Sequence, residues 1–118
     1  PLIQIANIKK GLKILSDNDV NSVRPVLRFS YPIQRALKMN NHKIKFINSK
    51  FSKTRSQDLE PAFYDSGQFY WMKFDSGLKG DNKYGFEIKE SEAQDIDTFE
   101  DWKIAEIKYN YLYGKAGK

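Results

Sequence analysis

Two aspartates separated by one isoleucine, Asp95-Ile96-Asp97, are the sharpest chemical pattern in this 118-residue chain. On an extended segment, residues i and i+2 point to the same side, so both carboxylates can meet one cation while Ile96 turns toward the core. Hard oxygen donors in that number suit Mg²⁺, which keeps several waters and takes further ligands from substrate phosphates. The same pair can equally be two solvated carboxylates that favour the positive end of the helix after them.

Two other segments carry polar groups of the right kind. In Arg55-Ser56-Gln57-Asp58 the guanidinium can grip a carboxylate or phosphate through two parallel hydrogen bonds, and Gln57 can both donate to and accept from a polyhydroxylated ligand. In Tyr64-Asp65-Ser66-Gly67-Gln68-Phe69-Tyr70, Gly67 allows close backbone approach and Tyr70 can present a hydroxyl beside an apolar wall. The ordinary readings are a polar loop for the first and a core strand of alternating aromatics for the second. His42, the single histidine, follows Asn40-Asn41 and reads as a surface turn residue. No Ser-His-Asp triad or histidine-rich metal site can be built around it. Neither a Walker loop nor Gly-x-Gly-x-x-Gly occurs, so a nucleotide would need a phosphate cradle outside these residues.

The elements that must position these groups can be read from periodicity. Ile5, Ile8, Leu12 and Leu15 lie on one face of a helix over 5–16, with Lys9, Lys10 and Lys13 opposite. After Asp17-Asn18-Asp19, the run Ser22–Phe29 is rich in strand formers, and Pro25 assigns it to an edge or bulged position. Ile33, Leu37 and Met39, then Asn40-Asn41-His42, then Ile44 and Phe46 fit two strands around a turn, with a short helix over Ile33, Ala36 and Leu37 as the alternative. Residues 48–60 are polar and aperiodic, which reads as a loop bearing functional groups or a linker. Gly67–Met72 reads as an aromatic strand. Gly77, Gly80 and Gly85 mark a loop before a strand at Phe86-Glu87-Ile88. Thr98 with Asp101 forms a capping box for a helix over about 99–113, and the Gly114–Lys118 tail is expected to fray.

Composition bounds the class. Aromatic residues make up 14% of the chain and hydrophobic residues 40%, enough for one packed domain or part of one. With no cysteine, disulfide frameworks and thiolate zinc sites are excluded. No apolar run nears the roughly 20 residues of a membrane helix, and Pro1-Leu2-Ile3 lacks the build of a signal peptide; a soluble, cytoplasmic protein without a membrane partner is expected. The net charge of +5 divides unevenly, +8 over residues 1–60 and −3 over 61–118. A basic half points to an anionic partner, and an acidic cluster to a metal or a solvated face.

Four blocks in order carry a resemblance: Arg28-Phe29-Ser30-Tyr31-Pro32-Ile33-Gln34-Arg35-Ala36-Leu37; Arg55-Ser56-Gln57-Asp58-Leu59; Tyr64-Asp65-Ser66-Gly67-Gln68-Phe69-Tyr70; and Gln94-Asp95-Ile96-Asp97-Thr98 with Glu100-Asp101-Trp102. Together they resemble the acylneuraminate cytidylyltransferases, and among these the pseudaminic acid cytidylyltransferases most. The similarity runs from about Leu2 to Leu112.

The resemblance implies transfer of CMP from CTP to the anomeric hydroxyl of a nine-carbon 2-keto acid sugar, with release of pyrophosphate, in the synthesis of surface glycans. It implies an α/β fold, the C-terminal part of a Rossmann-like nucleotidyltransferase with a three-layer sandwich. Asp95 and Asp97 match the carboxylates that hold Mg²⁺ on the triphosphate, and Asp97 and Arg55 are the residues it marks for catalysis. Arg55 and Gln57 match the loop that meets the sugar acid, Tyr70 matches an aromatic of the sugar pocket, and Gln34, Ser66 and Gln68 fall in the substrate-facing blocks. Residues 31–59 correspond to a dimerisation arm, so the enzyme would be a homodimer in which Arg55 can serve the partner's site. Ser66 stands where sialic acid enzymes often have Asn, and Gln34 where some carry Lys, which favours a different nonulosonic acid over sialic acid; sialic and legionaminic acids are the alternatives. The basic, glycine-containing nucleotide loop of the family is not among these residues, so residues 1–118 read as the C-terminal half of the domain and as inactive alone. From a different class, a basic nucleic-acid-binding module would use the +8 half with Phe46, Phe51 and Tyr70, but its basic residues are dispersed and the acidic cluster would repel phosphates.

Overall fold

The computed structural model describes residues 2–114, with the backbone alone at Ser56 and Leu78. They form two compact units, one from residues 2–27 and 65–114, the other from Arg28–Tyr64. The expected fraying after Gly114 concerns residues outside those described.

The first unit is mixed α/β. It opens with helix α1 (Ile5–Asp17) and strand β1 (Ser22–Arg28), whose last residue begins the second unit. The second unit holds strands β2 (Leu37–Asn40) and β3 (Lys43–Phe46), and β4 (Phe63–Asp65) returns the chain to the first, where β5 (Trp71–Met72), β6 (Lys83–Glu87) and helix α2 (Phe99–Tyr109) follow. Strand β1 pairs in parallel with β6, Val23 opposite Tyr84 and Pro25 opposite Phe86, and antiparallel with β5, Val23 opposite Trp71.

The core gathers Leu15, Val20, Val23, Leu27, Phe86, Ile88 and Ala93, with Ile14, Phe69 and Trp71 packed against it. Helix α1 forms over the expected residues, but its inner face is rotated from the expected stripe: Gly11 and Leu15 are buried, while Ile5 and Leu12 face outward. The cause is Trp71. A Cβ at Gly11 would lie 2.9 Å from the indole Cδ1, so only glycine lets the ring lie against the helix, and its Nε1–H donates to the Ile8 carbonyl at 2.9 Å.

Pro25 corrects the expectation of an edge position, since it is fully buried in the strand that pairs on both sides. Its carbonyl accepts from the Ser66 N–H, and its own donorless nitrogen points the same way, past the end of the β5 register and opposite Ser66, one residue beyond the end of β4. The missing donor thus falls where pairing on that side stops. The expected strand over Gly67–Met72 shrinks to Trp71–Met72, because Gly67 turns the chain at φ +75°. Strand β6 begins earlier than expected and includes Gly85, where a Cβ would crowd Val26 Cγ1 at 3.1 Å.

In the second unit, β2 and β3 form the expected hairpin, with Leu37 opposite Phe46 and Met39 opposite Ile44. Asn41 and His42 both take positive φ, 52° and 70°, as a two-residue hairpin turn requires. Ile33–Arg35 is a single 3₁₀ turn, and the polar stretch 48–60 contains two more at Ser49–Phe51 and Ser56–Asp58. No residue with a described side chain in this unit is buried.

Candidate functional site

In the first unit, two sequence blocks separated by more than twenty residues close around one cavity of about 190 Å³. Ser66, Gly67 and Gln68 form one wall, Gln94, Asp95 and Ile96 another, and Leu2, Ile3 and Ala105 the apolar remainder. That volume lies below the roughly 300–1,000 Å³ of sites that enclose a small molecule, so the cavity can seat part of a sugar and leave the rest outside.

Each polar wall is fixed by its own bonds. The Ser66 hydroxyl and N–H both reach the Pro25 carbonyl, at 2.9 and 3.2 Å. The hydroxyl's proton is thus spent on the scaffold, and its oxygen can offer a ligand only an acceptor. Gln68 donates from Nε2 to the Glu92 carbonyl at 2.5 Å, while its Oε1 is buried without a partner. Across the cavity, Lys108 on α2 donates to the Ala93 carbonyl at 2.8 Å and to Gln94 Oε1 at 2.9 Å, pinning the segment that leads to Asp95. Residue types alone gave no signal for Lys108.

Asp95 and Asp97 lie in the irregular segment before α2, Asp97 in a bend, and Ile96 does not turn to the core: it is 42% exposed and lines two surface cavities. Among the described residues, no group of three or more His, Cys, Asp or Glu is arranged to hold a metal. The donors present are therefore two carboxylates, a set that fits Mg²⁺ only with waters and phosphate oxygens completing the shell. The capping box is present: Thr98 Oγ1 accepts from Asp101 N–H at 3.0 Å, and Asp101 Oδ2 accepts from the N–H groups of Asp97 and Thr98. The bond from Asp97 N–H, then those from Thr98, outweigh slight desolvation and hold the Asp101 carboxyl below its ordinary pKa.

Tyr70 belongs to a second cluster in the same unit. Its hydroxyl donates to Asp65 Oδ2 at 2.5 Å, and the Arg24 guanidinium lies 4.5 Å from its ring centroid. Arg24 Nη1 also reaches Asp65 Oδ2 at 3.3 Å, and Gly67 N–H donates to Asp65 Oδ1 at 2.8 Å. Burial alone would raise the Asp65 pKa, but the bonds from Tyr70, Gly67 and Arg24 together bring it below the ordinary value. The bond to Asp65 raises Tyr70, and desolvation adds to it. Arg24 and Asp65 stand 41 positions apart, so only the fold makes them a pair.

The second unit carries Arg55, Gln57 and Gln34. Arg55 is 72% exposed at its side chain and donates from Nε to Asp58 Oδ2 at 3.1 Å. Gln57 lines a cavity of about 440 Å³ with Arg28, Tyr31 and Glu60 among its walls. Gln34 donates to the Glu60 carbonyl at 2.9 Å, and its Oε1 is buried without a partner. His42 sits in the hairpin turn, away from any such group.

Comparison with known proteins now bears on these groupings. No protein-family model matches the chain. It is similar to the pseudaminic acid cytidylyltransferases of Campylobacter jejuni subsp. jejuni serotypes O:2 and O:23/36, 32% identical over 123 aligned positions in each case. The alignment covers 98% of this chain and 53% of each relative, so the chain spans about half the length of the curated relatives it matches. The resemblance carried by the four blocks is thereby borne out.

Proposed function

We propose that this segment is the sugar-facing part, the C-terminal half, of a Rossmann-like cytidylyltransferase that moves CMP from CTP to a nonulosonic acid, pseudaminic acid first. The observation that carries the reading is the convergence of Ser66-Gly67-Gln68 and Asp95 on one cavity, since they come from two separate blocks of the resemblance. The names of the similar proteins support the same class.

In such a reaction the anomeric oxygen of the sugar bonds to the α-phosphorus of CTP. The bond from that phosphorus to the pyrophosphate oxygen breaks, and the hydroxyl proton is lost. The chain contributes position more than covalent chemistry. Ser66 offers an acceptor oxygen and Gln68 an amide to the sugar, Tyr70 an aromatic edge, and Asp95 with Asp97 two hard oxygen donors. Mg²⁺ bound there supplies charge neutralisation on the triphosphate as pyrophosphate departs. Arg55 and Gln57 serve the sugar acid; Asp58 holds Arg55 through Nε, which leaves the two terminal nitrogens to take a ligand carboxylate with both arms.

The hairpin supports the dimerisation arm. One face of β2–β3 carries Leu37, Met39, Ile44 and Phe46, the first three exposed, while Lys38, Asn40, Lys43 and Lys45 share the other. A second copy of the chain would cover that apolar face, and equilibrium sedimentation of the full chain with Ile44→Lys would report a monomer.

The central test is pyrophosphate release by the full-length enzyme in which this segment is joined to the nucleotide-binding half, with CTP and Mg²⁺ and with pseudaminic, legionaminic and sialic acids offered separately. Release with pseudaminic acid alone is expected. Release with another acid would keep the class and change the substrate, and none with any would defeat the reading.

A further inference from the structure

Tyr70 is the one aromatic of the candidate site whose hydroxyl and ring are both held, and the two residues holding it, Asp65 and Arg24, have no part in the function proposed above. We propose that Asp65, anchored by Arg24, is a positioning residue that makes the Tyr70 hydroxyl an obligate hydrogen-bond acceptor, so that Tyr70 reads a donor on the sugar, a hydroxyl or an acylamino N–H, and never its carboxylate. The donor-reading half of this inference rests on the cytidylyltransferase reading; the clamp itself does not.

The geometry makes the case by counting protons. A phenol has one hydrogen to give, and Tyr70 gives it to Asp65 Oδ2 at 2.5 Å. What remains toward solvent is lone-pair density alone. The acceptor cannot swing away, because Asp65 is tied at both oxygens: Oδ1 takes the Gly67 N–H at 2.8 Å, and Oδ2 also takes Arg24 Nη1 at 3.3 Å. Arg24 projects from the central strand β1 and covers the Tyr70 ring at 4.5 Å, which limits rotation of the ring. A hydrogen bond to a carboxylate is also about twice as strong as one between neutral groups, so a ligand carboxylate cannot readily draw the proton away. The sugar acid is therefore left to a cation, the role given to Arg55.

The discriminating variant is Asp65→Asn. Asn keeps an oxygen for the Gly67 N–H and so preserves the turn, but it turns an amide donor toward Tyr70 and reverses the polarity of the hydroxyl. In the full-length enzyme that contains this segment, Asp65→Asn should raise the KM for the sugar roughly tenfold, while kcat and the KM for CTP stay within about twofold. In a Tyr70→Phe background the same change should move the sugar KM by less than about twofold, because the residue it acts through is gone. An undiminished tenfold effect in that background, or a parallel fall in kcat, would show a merely structural role and overturn the proposal.

A second readout needs no turnover. In protein labelled with ¹³Cζ-tyrosine, the Tyr70 resonance, assigned by its loss in Tyr70→Phe, should titrate above the ordinary phenol midpoint and move down in Asp65→Asn. A midpoint indifferent to Asp65→Asn would refute the clamp. A wild-type chain that uses no nonulosonic acid while its Tyr70 titrates as expected would instead defeat the proposed function, and with it the donor-reading role alone.

Discussion

The residues assigned to one reaction are held in two different ways. In the first unit, Val23 is wholly withdrawn from solvent, and the walls bearing Ser66, Gln68 and Asp95 are tied to the Pro25 carbonyl of β1, to the Glu92 carbonyl and, through Gln94, to Lys108. In Arg28–Tyr64 no described side chain is buried, and order comes mostly from short-range bonds, a hairpin ladder, 3₁₀ turns and the Arg55–Asp58 pair three residues apart, with Gln34 reaching the Glu60 carbonyl 26 positions on. An exposed pair of that kind contributes about 0.2–1 kcal/mol, so Arg55 can be drawn to a ligand at small cost. The difference teaches that the sugar-facing groups of the first unit are preorganised by packing, whereas those of the second are ordered by local chemistry and left adjustable.

The sharpest way to break that contrast is to remove the same atoms from both units. Ile88 is 6% exposed and Ile44 is 60% exposed. Ile88→Ala should lower unfolding stability by about 2–5 kcal/mol through lost burial and a residual cavity, and Ile44→Ala by less than about 1 kcal/mol. Urea unfolding of the full chain measures both. Equal losses would mean that the second unit has a core after all. Next in size is Gly11→Ala. The new methyl would meet the Trp71 ring at 2.9 Å, and overpacking of that kind costs about 1–3 kcal/mol, partly offset by about 1 kcal/mol of helix propensity. A gain in stability would show that Trp71 can withdraw freely and that the rotated face of α1 has another cause.

How much of this was legible in the sequence follows from the range of each determinant. Helices α1 and α2 could be read because periodicity and a capping box act over four residues, and the hairpin because Asn41-His42 sits between alternating apolar residues. Strand β4 was missed because three residues after Pro61 carry no period, and the strand at Gly67 was overextended because a positive φ is invisible until the chain is seen to turn there. The carboxylates of Asp95 and Asp97 were visible as residue types, yet Ile96 faces outward, since core placement depends on what α2 packs against. Arg24 and Lys108 carried no local signal, because their partners Asp65, Ala93 and Gln94 are 14 to 41 positions away, and Asp65, though close in sequence to Gly67 and Tyr70, meets Arg24 only through the fold.

A third prediction concerns the cap that orders the segment after Asp97. Thr98→Ala removes the side-chain acceptor for Asp101 N–H and should cost about 1 kcal/mol. The reciprocal half of the box adds a pH dependence. Asp101 has a folded pKa below its unfolded value, so its contribution is present above the unfolded value of about 3.9 and is lost as pH falls through the folded one. Circular dichroism of the wild type should therefore lose helix on acidification below about pH 4, and Asp101→Asn should flatten that response. An identical acid profile in Asp101→Asn would place the sensitivity elsewhere.

The smallest expected effect tests the other side of the contrast. If turn chemistry and not packing governs the second unit, its stability should respond to the hairpin turn even though no core is touched. His42 holds φ +70° next to Asn41 at +52°, a conformation that glycine adopts without steric cost and that other L-residues adopt less readily. His42→Gly would create the Asn-Gly turn and relieve left-handed strain of about 1–2 kcal/mol, while the greater freedom of glycine in the unfolded chain takes back about 0.4–1 kcal/mol, leaving a net gain of less than about 1 kcal/mol. Hydrogen exchange at the amides of Leu37–Asn40 and Lys43–Phe46 reads the change locally, with protection rising there and staying constant in β1 and β6. A gain shared by all four strands would mean that the two units open together, and no gain would mean that contacts beyond the turn hold the hairpin.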